Sequence, residues 1–435
     1  MSKDRKRFGV ISLGCPKNTA DTESLLAKLP GEEIGNVTES ETVIINTCAF
    51  LKKSREEVYE NLNNLTDKKV ILTGCLSTLL DESVFTKYPQ VYAVVSGFHY
   101  PEISKIYEEV KNGKRIFAVS KEPMKYVEMD GKVMVTPPSY AYVKIAEGCN
   151  NGCSFCLIPT LKGSYRSRPM KNITDECKKL ISSGVKEIIL VAQDCGFYGA
   201  DIYKKKALAE LLTKITAIKG DFRVRILYIY PERITEELIK TIAENPKICK
   251  YFDIPLQHGD PGILKTMLRP YDVVRTLNKI AEIRKKIPGA TFRTSLITGF
   301  PGETQKAFQN LLDFIKKIEF DHVGVFEYSR EKGTKAYGLS GQLDAETKKA
   351  RRNKAMLLQQ KISLKKNKSL IGSTLNTLVE KFDDKHNLYI GRPERFAPDI
   401  DGMLYIKSDK KIPLNSFADV KITKADPYDM FGTIL

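Results

Sequence analysis

Residues 140–156 read YAYVKIAEGCNNGCSFC, a strand-like run, Tyr140–Ile145, followed by three cysteines, Cys149, Cys153 and Cys156, spaced C-x3-C-x2-C. Three thiolates this close together can wrap one compact metal centre from a single loop. The loop follows the first strand of a repeating strand–helix series, the position at which barrel enzymes carry active-site loops. Three ligands suit a four-iron cluster with one iron left open to a small molecule, because clusters held by protein alone use four cysteines. Zinc wants a fourth ligand, and no His or further Cys lies nearby in sequence. Zinc-bound or simply buried cysteines are the plainer alternative.

Working outward, strand-like runs recur at Glu187–Ala192, Val224–Ile229, Phe252–Leu256, Thr291–Ile297 and Val323–Tyr328. Helical patterns separate them, as at Asp175–Ser183, Glu236–Ala243 and Gln305–Ile318. Six consecutive βα units fit an open (βα)6 barrel better than a doubly wound sheet, although periodicity alone does not separate the two. A long basic helix, about Ala345–Lys366, leads into a tail with short alternating runs, Leu375–Val379, Met403–Ile406 and Asp419–Ile422, and turn residues at 398–402. That tail reads as a small β-barrel.

Upstream, runs at Phe8–Leu13, Thr42–Asn46, Val70–Thr73 and Val91–Val95 alternate with helical patterns from about Asp21, Lys53 and Thr78, which argues for a small parallel α/β sheet. Residues 113–138 read as a linker with short strands. Cys15, Cys48 and Cys75 each come one to three residues after one of these strands. Loops after successive parallel strands emerge at one sheet edge, so these cysteines are expected to converge on a second three-thiolate site; chance placement is the alternative. Cys177 and Cys249, and with less force Cys195, read as ordinary packing.

The 435 residues exceed one core, and two to three domains are the natural expectation. Charged residues at 28% and hydrophobic ones at 42% exclude a disordered or membrane-embedded chain, and no apolar run approaches the ~20 residues a span needs. The basic start, Met1–Arg7, runs straight into a strand-like stretch and not into a signal-peptide core. A soluble, cytoplasmic protein with no membrane partner is expected. Nine cysteines are too few, and odd in number, for a disulfide scaffold. Of the net charge of +17, residues 136–365 hold nearly all, with 40 Lys and Arg against 24 Asp and Glu, whereas residues 1–135 balance at 19 each and residues 366–435 hold 11 against 10. Any single basic run is most simply a solvated helix face. The segment-wide excess favours a polyanionic setting such as a ribonucleoprotein.

At this point the residues resemble a known family over essentially the whole chain. C-x3-C-x2-C with an aromatic before the last Cys is similar to the radical S-adenosylmethionine (SAM) signature, and the flanking segments resemble the methylthiotransferases. That resemblance implies an α/β architecture: an N-terminal parallel α/β methylthiotransferase domain over 5–120, a central open (βα)6 radical SAM barrel over 135–366 and a C-terminal small all-β TRAM barrel over 368–435. Within the family, Leu13–Asn18 (LGCPKN), Asn46–Phe50 (NTCAF), Phe155–Pro159 (FCLIP) running on to Lys162–Arg168 (KGSYRSR), Val191–Asp194 (VAQD), Pro255–Gly259 (PLQHG) and Gly299–Thr304 (GFPGET) resemble the RimO group. The MiaB-like, tRNA-modifying group usually carries Gln and Met where Pro16 and Lys17 stand.

The resemblance implies two [4Fe-4S] clusters, one on Cys149, Cys153 and Cys156 that binds and cleaves SAM, and one on Cys15, Cys48 and Cys75 that carries sulfur. The implied reaction adds a methylthio group to the β-carbon of an aspartate in the twelfth small-subunit ribosomal protein, free or in the assembled subunit; the alternative is an adenosine of tRNA. An electron donor such as flavodoxin or ferredoxin is implied as well. Phe155, Gln193, Asp194, Gln257 and Arg293 are the SAM-contact candidates, with ordinary strand-end polar residues as the competing reading. Gly299–Thr304 reads as a turn with Thr304 as N-cap, and His258 is given no catalytic role. A non-enzymatic iron–sulfur carrier or RNA-binding factor is the rival from another class, disfavoured by the six-unit barrel and the SAM-type loop.

Overall fold

In the computed structural model, which describes residues 7–29, 33–120, 126–269 and 271–435, the chain separates into two units. One gathers the residues up to Thr136 with Lys144–Asn151 and Cys156–Arg168; the other holds Pro137–Val143, Gly152–Phe155 and Pro169–Leu435. The basic start up to Lys6, and 121–125 of the expected linker, lie outside the described residues.

The first unit is built on strands β1 (Arg7–Ser12), β2 (Glu33–Ile34), β3 (Thr42–Thr47), β4 (Lys69–Gly74), β5 (Val91–Val95) and β6 (Ile116–Ala118), in the order β2-β1-β3-β4-β5-β6. Every pairing is parallel. Parallel strands covered on both faces read as unbroken apolar runs, and β3 is buried throughout. Val43 and Ile45 join one core with Val58 and Leu62 of the helix Lys52–Asn63, while Ile44 joins the opposite core with Ile103, Ile106 and Val110 of the helix Ile103–Lys111.

Two local expectations are corrected. The first helix begins at Pro16 and not near Asp21, because a proline at the start of a helix lacks only an N–H that would be orphaned anyway. The helix expected from Thr78 is a 3-10 turn, Leu76–Leu79, and a separate single turn, Val84–Lys87. Between them the Asp81 carboxylate accepts from the Ser83 N–H (3.0 Å), a local turn that competes with helix continuation. The linker is not loose: the Thr136 hydroxyl (2.9 Å) and the Val135 and Thr136 N–H groups (3.3 Å each) all donate to the Glu23 carboxylate.

In the second unit β7 (Tyr140–Lys144) begins a barrel, and after the short antiparallel pair β8 (Ala146–Glu147) and β9 (Arg166–Ser167) of the first unit it continues through β10 (Glu187–Val191), β11 (Arg223–Ile226), β12 (Tyr251–Asp253), β13 (Thr291–Thr298) and β14 (His322–Glu327). Hydrogen bonding groups β11-β10-β7 and β12-β13-β14, and a parallel bridge, Val224↔Ile248, links the groups. No ladder closes β14 onto β7 among the described residues, so the barrel is open. Its six strands coincide with the six expected runs to within three residues. The helix Ala345–Lys368 lays Ala355 and Ile362 against Leu296, Leu311 and Val325. Strands β15 (Thr374–Asp383), β16 (Leu388–Pro393), β17 (Leu404–Lys407), β18 (Ser416–Ala425) and β19 (Met430–Ile434) then form a closed barrel in the order β15-β16-β17-β19-β18.

Charge joins the two barrels of this unit at the strand starts. Glu187 Oε1 lies 2.6 Å from Arg225 Nε, and Glu187 Oε2 lies 2.6 Å from Arg223 Nη2 and 3.0 Å from Arg392 Nη1 of the small barrel. Tyr251 donates to Asp401 (2.6 Å) and Tyr140 to Asp399 (3.0 Å). With the N-terminal ends so filled, the C-terminal ends of the strands are left for chemistry, as in other barrels.

Candidate functional site

In the first unit β1, β3 and β4 are neighbours, and the loops that follow them carry Cys15, Cys48 and Cys75. Thr47 pairs in register with Gly74, so the next residues, Cys48 and Cys75, leave adjacent strands side by side. Cys15 caps the helix Pro16–Leu26, its carbonyl accepting from Asn18 (2.8 Å) and Thr19 (3.2 Å). Gly14 sits at φ +96°, and a Cβ there would stand 2.8 Å from Cys48 Cβ and 3.1 Å from its sulfur; Gly74, at φ +86°, would drive a Cβ to 2.2 Å from Asn46 Oδ1. Both positions need glycine for the turn, Gly14 also for the space beside the Cys48 sulfur and Gly74 for the close approach of Asn46 and Thr47. Asn18, buried, organises the floor. Its amide donates to Leu13 O (3.0 Å) and Thr47 O (2.9 Å), and its Oδ1 lies 3.7 Å from Cys75 Sγ. Asn46 in turn donates to Asn18 O (2.7 Å).

Burial pushes the Cys75 thiol up to about 12; Lys162 opposes this, and Cys15 and Cys48 add to it. Cys48 is raised by burial and by Cys15 as well. Three sulfurs gathered at one sheet edge, Cys48 and Cys75 buried and Cys15 partly so, suit a partner that brings several positive charges. Among the described residues no three His, Cys, Asp or Glu side chains close to the spacing of a single metal ion. A four-iron cube attaches each thiolate to a different iron and so holds them wider apart. The donor set and its glycine-walled recess fit such a cluster.

Cys149, Cys153 and Cys156 follow β8 on one stretch of chain. Gly148 turns it at φ +79°, where a Cβ would meet Ser164 O at 2.1 Å. Each sulfur has a donor at 3.4 Å: the Asn151 N–H at Cys149, the Ile158 N–H at Cys156, and Arg269 Nη1 at Cys153. Donors aimed at sulfur favour the thiolate that an iron–sulfur cluster requires. Arg269, held by Pro255 O (2.5 Å) and lying 4.2 Å over the Tyr230 ring, was not marked by any motif.

The SAM-contact candidates separate. Gln193 follows β10 with its buried Oε1 lacking a hydrogen-bond partner, an open acceptor at a strand end. Asp194 is engaged, accepting from the Tyr230 N–H (3.4 Å) and lying 3.7 Å from Arg233 Nε. Gln257, beyond β12, holds φ +71°, and Tyr228, beyond β11, φ +61°. Two non-glycine residues in the left-handed region at neighbouring strand ends are the backbone strain that functional sites store. Phe155 lies edge-on to Phe300 (6.4 Å) in an apolar cluster. Arg293 is the third residue of β13, near the filled end, and its guanidinium meets Asp253 (3.0 Å) and Asp401 (3.6 Å). Its guanidinium is thus engaged by two carboxylates at that end of the strand.

His258 is buried, its Nδ1 accepting from the Asp260 N–H (2.9 Å) and its Nε2 lying 3.4 Å from Glu303. Thr304 accepts from the Ala307 N–H (3.1 Å) as N-cap of Gln305–Ile318. Cys177, Cys195 and Cys249 are buried.

Family models described as Radical SAM superfamily, TRAM domain and Uncharacterized protein family UPF0004 match residues 143–315, 371–435 and 7–96. A protein from Acetivibrio thermocellus named ribosomal protein uS12 methylthiotransferase RimO is 41% identical, with 99% of each chain covered. Proteins of the same name from Caldanaerobacter subterraneus subsp. tengcongensis (42% identical, 98% of this chain and 99% of that one) and Clostridioides difficile (40%, 99% of each) agree. The chain belongs to the RimO methylthiotransferase family.

For the RimO fold the likeness extends to solved structures at low identity. The radical SAM methyltransferase TsrM from Kitasatospora setae, with cobalamin and a [4Fe-4S] cluster bound, superposes with a TM-score of 0.56 at 13% identity, covering 86% of this chain and 81% of that one. The cobalamin-dependent SAM radical enzyme OxsB gives 0.50 at 11%, covering 82% and 56%. As a RimO-family member the protein is a radical SAM methylthiotransferase with an N-terminal α/β domain, a radical SAM core and a C-terminal TRAM barrel.

Proposed function

We propose that this chain adds a methylthio group to the β-carbon of an aspartate of ribosomal protein uS12, using SAM and two [4Fe-4S] clusters. The observation that carries the reading is the pair of three-cysteine sets, each short of the fourth ligand that a closed protein-held cluster takes, in a chain about 40% identical over its full length to uS12 methylthiotransferases. When bound, the clusters and SAM supply one-electron chemistry at an unactivated C–H bond together with sulfur and a methyl group.

The protein's own residues bind, orient and exclude water. Cys149, Cys153 and Cys156 hold one cluster, with Arg269 and two backbone N–H groups fixing the sulfurs. Cys15, Cys48 and Cys75 hold the other over Asn18. Gln193 offers its free acceptor to the SAM amino group, Gln257 lies at the same strand-end edge, and Phe155 serves the adenine; Asp194 acts by anchoring the loop through Arg233 and Tyr230. The domain limits that suit this reading are 5–120, 135–366 and 368–435, with residues 5 and 6 outside the described chain. A cytoplasmic setting and a flavodoxin- or ferredoxin-type electron donor complete the proposal. No helix among the described residues is long and apolar enough to cross a membrane.

Mass analysis of uS12 and tRNA from a strain lacking the gene tests the assignment. Loss of the methylthio group from uS12 with tRNA unchanged is the expected result; loss from tRNA with uS12 intact would overturn it.

A further inference from the structure

The helix Pro261–Thr266 is closed by a Schellman turn, in which the Arg269 N–H donates to Leu264 O (2.9 Å) and the Leu268 N–H to Lys265 O (3.0 Å). Such a turn takes a left-handed residue, usually glycine, and here Leu268 holds that conformation at φ +54°. The turn is sewn to the loop of the SAM-cluster cysteines. Ser154, buried beside Cys153 in sequence, donates its N–H to Met267 O (2.9 Å) and its hydroxyl to Thr266 O (2.8 Å). Arg269 is thereby carried to Cys153, with Nη1 3.4 Å from the sulfur. Its Nη2 donates to Pro255 O (2.5 Å), and its guanidinium carbon lies 4.2 Å from the centre of the Tyr230 ring.

Arg269 is only 5% exposed, and among the described residues no Asp or Glu oxygen reaches it at ion-pair distance. Glu232 senses its charge from beyond that distance. Its Nε is buried without a hydrogen-bond partner. A buried cation with no counter-charge is strongly destabilising, so a fold that keeps one needs negative charge close by. Of its contacts, Pro255 O and the face of Tyr230 offer partial charge, whereas Cys153 Sγ is fully negative as a cluster ligand. We propose that Arg269 is a positioning residue for the SAM-cleaving centre, its charge and its N–H at Cys153 raising the reduction potential of the cluster on Cys149, Cys153 and Cys156. Three thiolates outweigh the positive charge of a [4Fe-4S] core, and an added electron deepens that excess. A cation 3.4 Å from one ligand sulfur, largely removed from water, favours the reduced form. Hydrogen bonding to the sulfurs works in the same direction. Cys149 and Cys156 take their donors at that distance from backbone N–H groups two residues along the chain, so the charged donor belongs to Cys153.

The inference rests on Cys149, Cys153 and Cys156 being cluster ligands. The test uses the full-length chain with Cys15, Cys48 and Cys75 changed to alanine, reconstituted with iron and sulfide and kept free of SAM. Dithionite with redox mediators supplies the electron, and the EPR signal of the reduced cluster is followed against potential. Arg269→Met and Arg269→Gln are expected to lower the reduced-to-oxidised ratio at a fixed potential by roughly tenfold, about 59 mV for one electron. Arg269→Lys keeps the charge and should recover most of that shift. The glutamine variant retains a donor for Pro255 O and carries the test should the methionine variant fold poorly. Parent-like potentials in the neutral variants, or a lysine variant shifted as far as methionine, would overturn the inference. Neutral variants that both fail to hold iron would place Arg269 in assembly of the loop alone and overturn it as well. A parent that takes up no iron overturns the ligand reading and this one with it, whereas a loaded parent with unshifted variants overturns this one alone.

Discussion

At the scale of single residues, two neighbours, Gln193 and Asp194, both expected from the sequence as SAM contacts, differ in their surroundings. Gln193 carries a buried acceptor without a partner, which a folded chain tolerates where a ligand completes the bond. Asp194 is already held by Tyr230 and Arg233. Gln193→Ala should therefore weaken SAM binding by about tenfold, ~1.4 kcal/mol, with an unchanged melting temperature. Asp194→Asn should lower the melting temperature as the loop loses its anchor. Isothermal titration beside thermal denaturation separates the two, and equal melting losses in both variants would remove the distinction. The six cluster cysteines were legible because spacing and strand ends are written in the sequence. Arg269 was not singled out, because its place beside Cys153 depends on side chains far apart in the chain meeting in space.

At the scale of elements, the joint between the two barrels of the second unit rests on one carboxylate among three guanidiniums. Burial opposes the charge of Glu187, but Arg223, Arg225 and Arg392 together hold its carboxyl well below the usual carboxylate range. A depressed acid contributes stability that is present above its unfolded value, about 4.3, and that is lost as pH falls through the lower folded value. Glu187→Gln leaves buried guanidiniums uncompensated and should cost about 3–5 kcal/mol at neutral pH. It should also flatten the acid limb of the stability curve, because the variant has no carboxyl to protonate. Denaturant melts from neutral pH downward check both effects; a variant as stable as the parent at neutral pH would contradict this account of the joint. Strand positions were legible from their unbroken apolar runs, and Gln305–Ile318 from its period and its Thr304 cap. The break near Asp81 was missed because an acidic side chain turning onto its own backbone leaves no mark in hydrophobic periodicity.

At the scale of the whole molecule, the +17 charge lies almost entirely within residues 136–365, while the TRAM segment is close to neutral. That distribution suits a barrel working against an RNA-rich particle better than a TRAM domain gripping RNA by charge alone. The division into three family segments could be read from the sequence. The joining of the radical SAM core and the TRAM barrel into one unit could not, because it depends on Glu187 and Arg392, some two hundred residues apart, meeting as a buried pair.

The central claim is that one chain carries two separate three-cysteine iron–sulfur sites. Anaerobic iron and acid-labile sulfide counting on reconstituted protein tests it most directly, comparing the parent with Cys15/Cys48/Cys75→Ala and Cys149/Cys153/Cys156→Ala variants. The account predicts about eight irons in the parent and about four in each triple variant, as two independent [4Fe-4S] clusters require; about four in the parent, with one triple variant unchanged, would contradict it.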